Sequence, residues 1–346
     1  MTIKSFAKIN LGLEIVGKRP DGYHDIRTLF QTISLADELH LEPASAGAIY
    51  LAGDDPSVAW DETNLVHRAA RLLREKTGTD QGARIRVKKS VPAGRGLGGG
   101  SSNAAAALLG LNRMWGLGLD APGLAGLARR LGADVPFFLH GGLCLGEDIG
   151  DRLTRLPDLD PLPCLLVFPA FPIPTASIYA GIELPLTRPP TLSQAFQVGD
   201  EERGPGLGKT GTAGFQHRHC KAGGKPGSGL TPNPRHSCRG VQGLTSDGKV
   251  SKIMRFLESG DFGLLENDLE HVIFRAHPEL ENWKRFFRER GAILSQVSGS
   301  GSAVYGLFAD AESAMEAQRR LPGTPAARLA ATLPREGYWA QLGAGA

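Results

Sequence analysis

The amino-acid sequence predicts an α+β protein of two domains. Three observations carry that expectation. Stretches with strand-like alternation and stretches with helix-like spacing are both present along the chain. The pattern restarts near residue 155, after a first set of strands and helices. A length of 346 residues suits two domains, at roughly 150 residues each. The boundary falls near 150–155, giving domains of 1–152 and 153–346.

Residues 4–16 alternate as a strand, and the turn-rich GKRPDGYH follows. A second apolar stretch occupies 25–42. Residues 64–76 have helical spacing, with Leu65, Ala69, Leu72 and Leu73 on one face. Residues 83–91 alternate as a strand and enter a Gly-rich loop. An Ala/Leu-rich helix is expected over 101–115 and another over 120–131. A strand is expected near 142–147. In the second domain LPCLLVFPA reads as a buried strand that Pro172 and Pro174 break. Helical patterns recur at 250–260, 261–274, 278–290 and 311–321. Between the last two, AILSQVSGSGSAVYGLF reads as strand, Ser/Gly turn and strand.

Composition excludes several classes. Hydrophobic residues at 41% and charged residues at 22% fit an ordinary globular chain. A net charge of +3 gives no overall polyanion-binding signature. No apolar run approaches the roughly 18 residues of a membrane helix. The first residues, MTIKSFAKINLGLEIV, lack the apolar core and cleavage site of a signal peptide. A cytoplasmic location is expected. Cys144, Cys164, Cys220 and Cys238 are scattered and form no disulfide framework. Cys144 and Cys164 lie in apolar stretches and are expected as reduced core residues.

Residues 203–240 break the rhythm. They hold seven Lys/Arg, no Asp/Glu, and few large apolar side chains. Such a segment buries too little surface to offset its ordering entropy. It is expected as a disordered or loosely held basic insert. His217, His219, Cys220, His236 and Cys238 could ligate zinc, but their spacing fits no familiar finger. Gly208-Lys209-Thr210 imitates the end of a P-loop, yet Arg203 stands where its first glycine belongs.

The strongest local signal is the loop Pro92, Ala93, Gly94, Arg95, Gly96, Leu97, Gly98, Gly99, Gly100, Ser101 and Ser102. A strand enters it and a helix leaves it. Its five glycines permit positive φ and let a ligand approach the backbone. Successive N–H groups can then form an anion nest, to which the helix N-terminus adds donors and partial positive charge. Ser101 or Ser102 could cap the helix or contact phosphate or a metal ion. A polyphosphate is the expected ligand. The glycine spacing also satisfies a bare dinucleotide fingerprint, but no acid ends a second strand about 20 residues on.

This loop resembles the second signature of the GHMP kinases. Their first signature, a strand carrying a lysine, is resembled by KSFAKINLGLEIVGKRPDGYHDIRTLFQTISLADEL. That stretch is most similar to the cytidine-diphospho-methylerythritol branch of the family, in Ala7-Lys8-Ile9-Asn10 and Asp21-Gly22-Tyr23-His24. The third signature is resembled by SGSGSAVYGLF from Ser298, and LGADVPFFLHGG completes the set. The resemblance covers about 1–200 and 245–325.

The resemblance implies an ATP-dependent phosphotransferase acting on an alcohol, with Mg²⁺ on the ATP phosphates. It implies an N-terminal domain like ribosomal protein S5 and a C-terminal ferredoxin-like domain. The implied substrate is a cytidylated small molecule, phosphorylated on the 2-hydroxyl of its methylerythritol part within isoprenoid precursor synthesis. Asp134 would accept the hydroxyl proton and Lys8 would pair with it. Read from the residues alone, Asp134 could equally cap a helix, and Lys8 could face solvent, since alternation from Ile3 does not settle its face. Tyr23 and His24 would read the cytosine, by stacking and by hydrogen bonding. Otherwise Tyr23 covers the core edge. Tyr179 would close the other face of the base, and Asn10 and Thr175 would contact substrate. The turn Ser298, Gly299, Ser300, Gly301 and Ser302 would reach the nucleotide or substrate, or is an ordinary tight hairpin. Two domains would close over the cleft and exclude water. Metal ligands beyond Ser102 are not assigned. Arg95 stands where the loop usually carries a smaller residue.

Other GHMP kinases, for homoserine or mevalonate, are the alternative within the family. They have no base to stack on Tyr23. An RNA-binding module using the basic insert is the alternative outside it. Neither a membrane nor a nucleic acid is expected as partner, and a monomer or homodimer is expected.

Overall fold

Two long strands organise the first half of the molecule. β1 (Thr2–Lys18) and β2 (His24–Ala44) pair antiparallel along nearly their whole length. The turn between them follows from Pro20-Asp21-Gly22, with Gly22 at φ 88°. The computed structural model describes residues 1–182, 251–323 and 325–343. The basic insert with its histidines, Cys220 and Cys238, and the P-loop imitation at 208–210, lies outside the described residues.

The far edge of β2 takes two partners. β5 (Leu143–Glu147) pairs with its first half, and β4 (Gly82–Lys88) with its second. β3 (Ile49–Gly53) lies parallel to β4, and β6 (Arg152–Arg155) continues from β5. The first sheet therefore runs through Arg155. Helices α1 (Leu65–Thr77), α2 (Gly99–Met114) and α3 (Ala121–Leu131) cover one face. Asn64 caps α1 by accepting from Val66 N, and Asp120 caps α3 by accepting from Gly123 N.

The second sheet has the order β10-β7-β9-β8, all antiparallel: Ala326–Ala331, Pro163–Phe168, Val304–Leu307 and Leu294–Val297. In chain order that is 4-1-3-2, the ferredoxin-like arrangement. Helices Pro278–Glu289 and Ala311–Arg319 pack against it. After β7 comes the short helix α4 (Thr175–Ala180).

The two sheets share a core. Ala7, Ile9 and Leu11 of β1 pack in one buried cluster with Leu166 of β7 and Tyr305 and Leu307 of β9. Removing that apolar surface from water joins the two units at about 25 cal/mol per Å². The C-terminal helix Arg335–Leu342 returns to the first unit. Its Tyr338 donates to Phe138 O at 2.5 Å and packs on the Phe6 ring.

Two helical expectations differ from the structure. The 101–115 helix begins earlier, at Gly99, because Gly98 at φ 70° turns the chain into it. Ser101 and Ser102 therefore sit inside the first turn and cap nothing. The 261–274 helix is broken into a 3-10 turn at Phe262–Leu264 and a helix at Glu270–Ala276. Between them the backbone bonds to β1 instead: Leu13 N donates to Glu266 O, and Asp268 N to Leu13 O, both at 2.8 Å. Pairing with an existing strand there outcompetes local helical spacing.

Candidate active site

Lys8 points inward. It is 4% exposed, and its Nζ donates to Asn10 Oδ1 at 2.6 Å and lies 3.6 Å from Asp134 Oδ2. The ammonium also sits 5.3 Å over the Phe30 ring. β-Bulges between Phe6 and Lys8 and between Asn10 and Gly12 shift the register here. They explain why Ala7, Lys8, Ile9 and Asn10 are all buried and simple alternation fails. Burial lowers the Lys8 pKa from its ordinary 10.5, opposed by the attraction of Asp134. Asn10 is fixed in turn: its Nδ2 donates to Thr28 Oγ1, which donates to Gly12 O.

Asp134 stands just before the 3-10 turn Pro136–Leu139, whose cap position is Val135 without a side-chain bond. The carboxylate is thus not spent on capping. Its side chain is 34% exposed, open to a ligand on one side and to Lys8 on the other.

The Gly-rich loop packs directly on this pair. Lys8 N donates to Leu97 O at 3.0 Å. A Cβ on Gly98 would come 2.8 Å from the Phe138 ring and 3.2 Å from Lys8 Cγ. Gly94, Gly96 and Gly98 all have positive φ. At Gly96 a Cβ would stand 2.0 Å from Ser298 O, so the third motif's backbone fills the space a side chain needs. The β8–β9 connection is a tight hairpin, with Ser298 N donating to Ala303 O. It also reaches the loop: Ser298 Oγ donates to Gly96 O at 2.9 Å, and Ala303 N to Arg95 O at 3.2 Å. Gly299 lies against β1, where a Cβ would be 3.0 Å from Asn10 Oδ1. Arg95 donates to Ser302 Oγ at 2.9 Å, and Ser302 donates onward to Phe171 O. These bonds join the Gly-rich loop of the first half to the Ser/Gly turn of the second.

Under the loop lies a buried carboxylate that sequence reasoning missed. Asp37 is wholly buried and accepts from Ser90 N, Val91 N, Asn103 Nδ2 and the Lys89 ammonium. It fixes the entry to the loop and the first turn of α2 together. The available signal was an acid closing the apolar run ISLAD and a lysine just ahead of the loop. Ser102 is 1% exposed and accepts from Ser5 Oγ at 2.7 Å, so its hydroxyl faces back toward β1.

The other end of the site has a different character. His24 is 6% exposed, and neither ring nitrogen has a hydrogen-bond partner. Burial lowers its pKa, with a smaller contribution from Lys18, which favours the neutral imidazole. The half-buried Tyr179 ring lies 5.5 Å away. Tyr23, at the hairpin turn, is 63% exposed and covers no core. Thr175 shares a hydrogen bond with Ser300 Oγ at 2.7 Å, which joins α4 to the third motif.

Among the described residues no group of three His, Cys, Asp or Glu could hold a metal ion, and no helix is long and apolar enough to cross a membrane. Cys144 and Cys164 are buried free thiols, and burial pushes Cys144 up to about 11.

Comparison with known proteins points the same way. The family model for the GHMP kinases N terminal domain matches residues 64–142, and that for GHMP kinases C terminal matches 250–326. The 4-diphosphocytidyl-2-C-methyl-D-erythritol kinase of Pelotomaculum thermopropionicum is 37% identical, across 92% of this chain and 93% of its own. That of Acaryochloris marina is 36% identical across 91% and 89%. A crystal structure of 4-(cytidine 5'-diphospho)-2C-methyl-D-erythritol kinase superposes with a TM-score of 0.68 at 32% identity, covering 96% of this chain and 99% of the other. Homoserine kinase from Cytophaga hutchinsonii shares the fold at 16% identity, with a TM-score of 0.63 over 97% and 96% of the chains.

Proposed function

The chain belongs to the 4-diphosphocytidyl-2-C-methyl-D-erythritol kinases, a branch of the ATP-dependent GHMP kinases, and from that premise we propose that it phosphorylates the 2-hydroxyl of that cytidylated alcohol. The product would be a precursor in non-mevalonate isoprenoid synthesis. The observation that carries the reading is the Lys8–Asp134 pair lying between the Gly-rich loop and Gly299. Phosphoryl transfer asks for positioning and charge stabilisation, and that arrangement supplies both.

In this reading the N–H groups of residues 94–102 and the start of α2 hold the ATP phosphates. The substrate hydroxyl faces Asp134. Its oxygen bonds to the γ-phosphorus, the bond to the β,γ-bridging oxygen breaks, and ADP leaves. Asp134 takes the hydroxyl proton. Lys8 orients Asp134 and balances the negative charge that gathers in transfer. Mg²⁺ would enter on the ATP phosphates, and among the described residues there is no carboxylate cage to hold it separately. Ser102 is poorly placed as a ligand, because its hydroxyl is engaged by Ser5.

At the far end a neutral His24 would both donate to and accept from the cytosine edge, satisfying two buried nitrogens that lack partners. Tyr23 and Tyr179 offer faces for stacking. Asn10 and Thr175 would touch the alcohol or its diphosphate.

A coupled ADP-release assay tests the reading, with MgATP and, in parallel, the cytidylated alcohol, homoserine and mevalonate. ADP release with the first alone is expected. Release with either of the others would leave the kinase and remove the base-reading role of His24.

A further inference from the structure

Between the 3-10 turn Phe262–Leu264 and the helix Glu270–Ala276 lies a short segment with no regular structure and unusually full bonding. Asn267 is 3% exposed. Both hydrogens of its amide are used, Nδ2 donating to Val297 O at 3.0 Å and to Gly299 O at 2.8 Å. Its Oδ1 accepts from Leu269 N at 3.0 Å. The neighbours bind the catalytic strand: Leu13 N donates to Glu266 O, Asp268 N to Leu13 O, and Ile15 N to Asp268 Oδ2, each at 2.8 Å. Two residues on, the buried Glu270 accepts from Val297 N at 2.8 Å and pairs with Lys284.

These bonds join two parts of the site. One is β1, which carries Lys8 and Asn10. The other is the turn at 298–302, whose Gly299 lies against both side chains, a Cβ there falling 3.0 Å from Asn10 Oδ1 and 3.5 Å from Lys8 Nζ. Gly299 holds a φ of 58°. The partner of its carbonyl is the Asn267 amide.

We infer that Asn267 is a positioning residue for phosphoryl transfer, holding the third-motif turn at Gly299 against the Lys8–Asn10 pair. It touches neither substrate nor ATP in the proposed reading, on which this inference rests. It acts through Gly299. An amide is required because two carbonyl oxygens need two donors from one side chain while a third bond needs an acceptor. Asn supplies that set in the least volume.

The test compares the wild-type protein with Asn267→Asp and Asn267→Leu by kcat, KM for ATP, and thermal unfolding. The wild type first separates the two claims: if it does not turn over the cytidylated alcohol, the reading of the site fails whatever the variants do. With an active wild type, both variants should lose about 10²-fold in kcat while KM for ATP stays within about threefold, the signature of lost alignment rather than lost binding. They should also differ from each other. A buried carboxyl facing two carbonyls keeps its proton to higher pH, and the protonated form can donate one of the two bonds. The Asn267→Asp deficit should therefore shrink by about tenfold from about pH 8 to about pH 6, while the Asn267→Leu deficit stays constant. A merely structural role predicts lower folded yield or melting temperature with no such pH dependence. Should neither variant accumulate folded, Gly299→Ala carries the test from the other side. It pushes the same turn off Asn10 and should lower kcat with KM for ATP held. Wild-type kcat in a folded Asn267 variant, a pH-independent Asn267→Asp deficit, or an unaffected Gly299→Ala protein would overturn the inference.

Discussion

The proposed phosphate end and the proposed base end of this site are built on opposite plans. At the phosphate end several side chains already have partners: Asp37 takes four donors, Ser298 is bonded to Gly96 O, and one Arg95 guanidinium nitrogen to Ser302. At the base end they do not. His24 is buried with two empty nitrogens, and Tyr23 stands out in solvent. A buried donor or acceptor left unpaired costs on the order of 1–3 kcal/mol. A ligand that supplies the missing partners recovers that cost. In the proposed reading, preorganisation serves the transferring phosphoryl group, and recognition is completed by the substrate. Changes at the first end should reach turnover or ATP binding, and changes at the second should reach affinity for the alcohol substrate.

The largest break in that comparison should come at Asp134. Asp134→Asn is expected to lose about 10²–10⁴ in kcat while ATP still binds, measured by steady-state kinetics and nucleotide titration. Gly96→Ala comes next. Its Cβ would meet Ser298 O at 2.0 Å with φ at 76°, and stored strain of about 1–3 kcal/mol should appear as lower stability together with weaker ATP binding. Calorimetry and nucleotide titration on one preparation would see both. His24→Ala should leave kcat nearly intact and raise KM for the cytidylated substrate by about tenfold, the worth of one or two hydrogen bonds. Tyr23→Ala should raise the same KM by only a few-fold, since the exposed ring loses stacking alone.

The pH profile sharpens the division further. The His24 ring is neutral until pH falls through a value below 6.5. Protonation there removes the acceptor, so the acid limb should appear in KM for the substrate. Lys8 titrates below its usual 10.5, and its ammonium is lost as pH climbs through that lowered value. The alkaline limb should therefore appear in kcat.

Much of the phosphate end was legible because it is local in the chain. Strand, glycines and helix follow one another over 83–115, and each glycine needed by the fold is written in place. The inward face of Lys8 was not legible. Two bulges and burial on both sides of β1 remove the alternation that would have assigned it. Asn267 was hidden for a different reason. Residues 261–274 carry helical spacing, and only pairing with Leu13, some 250 residues earlier by number, overrides it. Asp37 likewise gains its meaning from Lys89 and Asn103, which no local pattern connects to it. His24 could be named by motif, but that its nitrogens lack partners belongs to tertiary structure alone.

The division between the two ends is tested most directly by one substrate comparison. ADP release would be followed with the cytidylated alcohol and with the same alcohol bearing a 4-phosphate in place of the cytidine diphosphate. The account predicts efficient turnover of the first and a loss of at least about 10²-fold in kcat/KM for the second, as two or three contacts to the base disappear. Equal kcat/KM for the two would show that the base end reads nothing, and would contradict the account.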